Sequence, residues 1–371
     1  PPDTFPDSSY QIMPPVNGQY LLYKMPEYGE RILYLNKMNV AGSLLLNQNI
    51  VYPLSTQTNV FEETIINTSD GGAACCWYEA ADDNYSILKI QTFDPTLACE
   101  WQQPVTVASP LCDRLRTVLH QDAEGRFWLS WQENDGARGY RVQAINPDGT
   151  ALLEPGGKLI GEEAVWAISL SVQNHGVFLW GTLEDGLIKI KLQTLAMDGT
   201  TGYPNGGLTL EERMNGYCQN LGNYALNDRF LSLWIDYREG GKLYYQILVQ
   251  SGEEVLEPGG VALCVDQLCY DQLIDQCVTG DGKLALIYRT SIPDTSIDCY
   301  FLQIIDSEGN RAFEGNGMQL APDTIGQISS VGNDIYLGWT APYNGIATQI
   351  HAQKLVNNEL VWADGMIIYA C

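Results

Sequence analysis

Histidine is almost missing from this chain: three residues in 371, at His120, His175 and His351. No His-x-x-x-His or His-Glu-x-x-His spacing sets two of them on one face, which argues against a zinc centre. Basic residues are scarce too. Twenty Lys and Arg stand against 45 Asp and Glu, a formal net charge of −25. Such a surface repels phosphate backbones and anionic lipid, so nucleic-acid and lipid-surface partners are disfavoured. It suits a soluble protein, or one that draws cations or a basic partner. No run of 18 apolar residues occurs, so no membrane-spanning helix is expected. Helical i, i+3, i+4 periodicity is nowhere sustained. Gly-x-Ser-x-Gly, the phosphate-cradling Gly-x-x-x-x-Gly-Lys and the Ser-x-Asp-x-Gly-x-x-Trp box are all absent.

Cysteine is present but never spaced as Cys-x-x-Cys, which removes zinc ribbons, thioredoxin-type redox sites and c-type haem. Ten cysteines without metal spacing point to disulfides and an oxidising compartment. Cys277 and Cys299 form the local pair this reading favours. The opening Pro1-Pro2-Asp3 has no basic, then apolar, leader and suits a secreted product whose signal is gone. An extracellular or cell-surface location follows as an expectation. Two sequons, Asn67-Thr68-Ser69 and Asn84-Tyr85-Ser86, matter only in a glycosylating source.

What the chain has in abundance is a repeat. LEPGG occurs twice unchanged, at 153–157 and 256–260. Around it a longer pattern recurs: an apolar run ending in an aromatic, a polar loop, a strand carrying one amide, a turn, then glycine and an apolar tail. The run-ending aromatics are Tyr23, Trp77, Trp131, Trp180, Trp234, Tyr288 and Trp339, about 53 residues apart. Twelve to fifteen residues after each comes Asn36, Gln91, Gln143, Gln193, Gln246, Gln303 or Gln353. Seven copies use up the chain, leaving one domain over 1–371. The expected copies cover about 8–57, 58–109, 110–161, 162–212, 213–265, 266–321 and 322–371.

Each copy reads as four strands. The turns between them are Asp-Gly and Asn-Pro-Asp-Gly types, which signal hairpins. Four antiparallel strands repeated seven times predict an all-β, seven-bladed β-propeller. The terminal copies are as apolar as the central ones, which favours ring closure over a capped solenoid. The strand-end aromatic in Leu129-Ser130-Trp131, the amide strand ending in Asp-Gly and the Gly-Gly tail resemble β-propeller repeats of secreted and cell-surface bacterial proteins. That resemblance implies a fold and carries over no catalytic residue. The Gly-His…Trp-Asp pattern of WD40 blades is absent, as is the kelch double glycine. Trp131, Trp180, Trp234 and Trp339 are expected in equivalent buried positions between blades. The seven amides are expected to bond backbone rather than ligand.

The loops joining second and third strands should open on one face, and six of seven carry acids. Glu133, Asp135, Glu184, Asp185, Asp236 and Asp298 make a candidate rim of hard oxygen ligands, for which Ca²⁺ is the fitting ion. Asp82, Asp83, Trp166, Glu239, Asp294 and Tyr343 mark a candidate partner-binding face. No cofactor is required by anything in the chain. Two function classes remain open: a binding or structural module for a protein, a glycan or another copy of itself, and an extracellular enzyme of polysaccharide or glycoconjugate turnover. Sparse histidine and regular loops favour the first.

Overall fold

Seven antiparallel sheets of consecutive strands make up the protein in the computed structural model, an all-β, seven-bladed β-propeller. The structure describes residues 11–13, 16–24, 32–39, 41, 43–46, 48–55, 60–80, 86–111, 117–134, 138–162, 164–172, 175–204, 206–214, 218–237, 241–249, 253–265, 270–291, 298–320, 326–343, 347–362 and 366–370. Among them there is no helix. The blades span 11–53, 60–111, 117–162, 164–214, 218–262, 270–320 and 326–370. Six sheets have four strands, and in blade 7 the third strand pairs with two short outer segments. By internal contacts the chain divides into two units: Pro1–Leu183 with Lys189–Thr209, and Glu184–Ile188 with Leu210–Cys371.

Blade 3 shows why these residues form these strands. Its second strand, Phe127–Asn134, is apolar on both sides. Phe127, Leu129 and Trp131 pack on Ala74, Cys76 and Tyr78 of blade 2. Trp128, on the other side, meets Phe178 of blade 4. Trp77, Trp131, Trp180 and Tyr288 are sealed from solvent, each in a core shared with the preceding blade. Trp234 is equally buried, while Trp339 is only partly buried against the blade 6 core. A buried aromatic of this size contributes roughly 3–5 kcal/mol.

Blade 1 departs from the sequence frame. Gln143 lies opposite Leu129, and Trp131 follows two residues on. Asn36 lies opposite Leu22, so the matching position is Lys24, not Tyr23. Tyr23 instead packs on the blade 1/2 core. Lys24 is buried, and its ammonium sits 5.7 Å from the Tyr34 ring directly opposite. The same cross-strand position holds a flat or cationic group in other blades: Lys89 opposite Trp77, Arg141 opposite Trp131, Tyr244 stacked on Trp234 and His351 stacked on Trp339.

The Gly-Gly tail is explained by these rings. Gly259 and Gly260 both have positive φ, +85° and +77°. A Cβ on Gly259 would meet nothing within 4 Å, whereas one on Gly260 would lie 2.5 Å from Trp234 Cη2 and 2.6 Å from the Tyr245 carbonyl oxygen. The first glycine serves the turn alone, and the second also makes room for the indole.

The recurring amide clamps its own blade. Gln303 is fully buried; its Oε1 accepts the Ile304 and Phe313 N–H groups at 3.0 and 3.2 Å, and its Nε2 donates to the Phe313 carbonyl at 3.0 Å. Gln143, Gln193, Gln246 and Gln353 repeat the arrangement. Each satisfies three backbone groups where the chain swings out before the fourth strand.

The disulfide expectation is corrected. Among the described residues no disulfide forms, and Cys277 and Cys299 are free thiols. Register gives the reason. Cys277 lies opposite Ala285, which lies opposite Ile304, five residues along the strand from Cys299. At ~3.3 Å per residue that is about 16 Å, beyond the ~7 Å limit between bridged Cα atoms. Cys75, Cys76 and Cys264 are buried as core thiols. Cys112, Cys269 and Cys371 lie outside the described residues. The oxidising-compartment argument gains nothing from the described cysteines.

Two stability measurements test this account. Gly259→Ala should cost about 1–2 kcal/mol, the strain of a positive φ alone. Gly260→Ala carries the same strain plus a ring clash of about 1–3 kcal/mol, so it should unfold at clearly lower denaturant. Equal losses would mean the indole does not set the glycine. Gln303→Leu keeps the volume but orphans two N–H groups and one carbonyl. A loss on the order of 2–4 kcal/mol is expected in urea unfolding, and a loss below 1 would remove the clamp from the account.

Candidate functional site

The end of each blade where second and third strands join carries the candidate rim. Glu133, two residues beyond Trp131, pairs with the Nε of Arg141, whose Nη1 also donates to the Gly157 carbonyl at 3.0 Å. Glu79 holds the same place in blade 2: Lys89 pairs with it, and Ser55 of blade 1 donates to its Oε1 at 2.9 Å. In blade 6 Asp298 faces Arg289 at 3.2 Å and accepts a hydrogen bond from Ser291 Oγ. Asp236 is buried, directly opposite the buried Lys242. The geometry thus repeats: an acid near the end of one strand and a base on its cross-strand neighbour. Register alone creates these pairs, and a list of acids could not show them.

The remaining rim residues are placed differently. Glu184 is half-buried at the end of the blade 4 second strand, and Asp185 is exposed with φ +54° at the tip of that hairpin. Asp135 lies outside the described residues, as do Asp82, Asp83, Glu239 and Asp294 of the candidate partner face. Trp166 follows a bulge in the first strand of blade 4, and Tyr343 ends the second strand of blade 7 opposite Ala347. Among the described residues no three His, Cys, Asp or Glu are grouped to hold a metal ion.

A second polar system was not foreseen. It links successive blades at the opposite end, through equivalent turns about 53 residues apart. Asn17 Nδ2 donates to the Asp70 carbonyl, and Asn227 Nδ2 to that of Asp281, both at 3.3 Å. Gly280 N–H donates to the Gly332 carbonyl at 2.7 Å. Lys37, almost wholly buried, gives its ammonium to the carbonyls of Gly71 and Pro95 in blade 2. Burial pushes this amine below its ordinary pKa, and the charges of Asp70 and Asp94 partly offset that. A lysine follows the amide in blade 1 and in blade 7, Lys37 after Asn36 and Lys354 after Gln353, so the sequence alone did not mark the blade 1 contact.

His120 lies in the first strand of blade 3, and His351 stacks on Trp339 in blade 7. His175 begins the second strand of blade 4. The Nε2 of His120 is sealed from solvent although the residue keeps some exposed surface. Burial lowers its pKa to about 4, against a small opposing pull from Asp122.

No known protein family's sequence pattern matches the chain, and no curated protein sequence does. Solved structures do resemble it. A puromycin hydrolase shares 12% identity at a TM-score of 0.54, covering 92% of this chain and 51% of the hydrolase. The BP39L lectin from Burkholderia pseudomallei shares 10% identity at 0.54, covering 95% of this chain and 96% of the lectin. A prolyl oligopeptidase B from Galerina marginata shares 10% at 0.50, covering 96% and 51%. The chain therefore spans about half the length of the two hydrolytic enzymes. At such identities the likeness establishes the β-propeller fold alone, among neighbours that include a lectin and enzymes.

The pH dependence of stability follows from His120. Its folded pKa near 4 lies below the unfolded 6.5, so the neutral ring favours the fold. That contribution is complete above pH 6.5 and is lost as pH falls towards 4, up to about 3 kcal/mol in all. His120→Gln should flatten the fall in unfolding free energy between pH 6.5 and 4 relative to the parent. Parallel curves for the two proteins would show that His120 does not titrate on unfolding.

Proposed function

We propose that the protein is a non-catalytic binding module that recognises glycans through sites repeated from blade to blade. The observation that carries this reading is repetition. Glu79 with Lys89 and Glu133 with Arg141 occupy the same register in successive blades, both pairs partly exposed, at 17% and 24% and at 12% and 30%. Asp298 with Arg289 sets a related pair in blade 6. A carboxylate beside a guanidinium or ammonium offers acceptor and donor together, which is what neighbouring sugar hydroxyls require.

Catalysis on a glycosidic bond asks for something else: two carboxylates facing one another across roughly 5–10 Å. Glu79, Glu133 and Asp298 each face a cation of their own blade instead. The lectin match, over nearly the full length of both chains, further supports a binding function carried by a propeller alone.

The test is binding of the full chain to an array of neutral and acidic oligosaccharides, followed by calorimetry on the best ligand in Ca²⁺ and in chelator. The expected outcome is several equivalent sites and no chemical change in the glycan. Arg141→Ala and Lys89→Ala should each remove some sites, and together lower avidity roughly tenfold or more. Single-site stoichiometry with release of a product would overturn the reading in favour of an enzyme, and an array without binding would remove glycans as the ligand.

A further inference from the structure

We propose that Asn17 is a deamidation site whose conversion loosens blade 1 from blade 2. Asn-Gly is the pairing most open to this chemistry, because glycine leaves the attacking nitrogen unshielded. Two such pairs have both residues described, Asn17-Gly18 and Asn316-Gly317. The structure separates them.

Asn17 and Gly18 form the exposed two-residue turn between the first strands of blade 1, with φ of 51° and 73°. Val16 and Gln19 close it with a reciprocal pair of 3.0 Å bonds, and the Gly18 N–H itself has no partner among the described residues. Nothing lies within 4 Å of where a Gly18 side chain would start. The strand before the turn is only Gln11–Ile12, so little resists local opening into the extended form the reaction needs. At Asn316 every reacting group is held. Its Oδ1 accepts the Val265 N–H at 2.9 Å, its carbonyl accepts the Tyr288 hydroxyl, and the Gly317 N–H donates to Glu314 at 3.1 Å.

The reaction needs only solvent. The Gly18 nitrogen, giving up its proton to water, attacks Asn17 Cγ; the Cγ–Nδ2 bond breaks and ammonia leaves. Water then opens the succinimide at either carbonyl, leaving aspartate or isoaspartate, with no oxidation or reduction. The consequence is local and electrostatic. Asn17 Nδ2 is the donor to the Asp70 carbonyl of blade 2, and an acid in its place removes that donor and adds a negative charge beside the turn that carries Asp70. The equivalent latch in blade 5, Asn227 to Asp281, precedes Asp228 rather than glycine and is spared. The chain thus carries one latch that ages and one that does not.

The experiment incubates the full chain at neutral pH and physiological temperature and follows Asn17, Asn227 and Asn316 by peptide mass spectrometry. Asn17 should convert roughly tenfold or more faster than either of the others, the difference being the local opening that Asn316 requires. Asn17→Ser should abolish that mass gain, and Asn17→Asp should raise hydrogen exchange at Asp70–Gly72 without changing it at Asp281–Lys283. Equal rates at Asn17 and Asn316, or conversion of Asn17 only in denaturant, would overturn the site. Unchanged exchange in Asn17→Asp would overturn its coupling to blade 2.

Discussion

Everything in this fold depends on one constraint: a four-stranded sheet that is apolar on both faces has to be covered twice. A blade alone exposes Leu129 and Trp131 on one side and Trp128 on the other, and water makes that arrangement untenable. The neighbouring blade supplies the cover, with a fully buried ring in the cores shared by blades 1 and 2, 2 and 3, 3 and 4, and 5 and 6. The ring in turn dictates other positions. It requires a glycine where the chain returns at Gly157, Gly207 and Gly260, and a flat or cationic partner directly opposite at Arg141, Tyr244 or His351. Blade 1 shows that the constraint concerns shape and coverage rather than aromaticity. Lys24 lays its stem where the indole would be and Tyr34 supplies the ring.

The polar groups follow from the same packing. A strand that must leave the sheet to pass a buried ring cannot keep its ladder bonds, and buried backbone groups left unpaired are costly. The glutamine clamps take up those groups, three in each of blades 3 to 7, which is why an amide and not a carboxylate recurs: donor and acceptor are both needed. The detour also breaks the outer strand. In six blades only a single bridge, such as Ile145 to Ala151 or Ile305 to Arg311, precedes the short fourth strand. A broken outer edge is a poor template for another chain to pair with, so the clamp guards against edge-to-edge association as well.

The repeat made the blades, the buried tryptophans and the amides legible, because each is a residue type at a fixed spacing. What it could not convey is register. Tyr23 and Lys24 are adjacent, and only the pairing of Leu22 with Asn36 decides which of them takes the position of the run-ending ring. The ion pairs are invisible for the same reason, since Glu133 and Arg141 meet through a hairpin and not through a motif. Cysteine count misled because buried thiols and bridged ones look alike in a sequence. Leu97 is a further case. It takes φ +65° where Gly149, Gly199 and Gly309 stand in other blades, and its burial in the blade 1/2 core outweighs the backbone strain. A glycine pattern alone would have marked it as an exception without a cause.

Register also changes what the net charge of −25 means. At the ends where second and third strands join, Glu79, Glu133 and Asp298 are each matched by a base of the same blade. Much of the excess lies in turns at the opposite ends. Asp148 and Asp198 accept the N–H of Thr150 and Thr200, and those bonds hold both carboxyls below their ordinary range. Asp306 accepts from Glu308 and Asn310, and Asp94 from Thr96 and Ala98. These acids are present because an ionised carboxylate is a strong acceptor for a tight turn. Their charge is a by-product of turn geometry spread over many blades, and no cation has to be invoked to account for it. A protein whose acids are spent in this way still repels anionic ligands at long range, while its locally neutral pairs remain able to bond hydroxyls. For the glycan reading proposed above, electrostatics and register together point to an uncharged ligand rather than an acidic one.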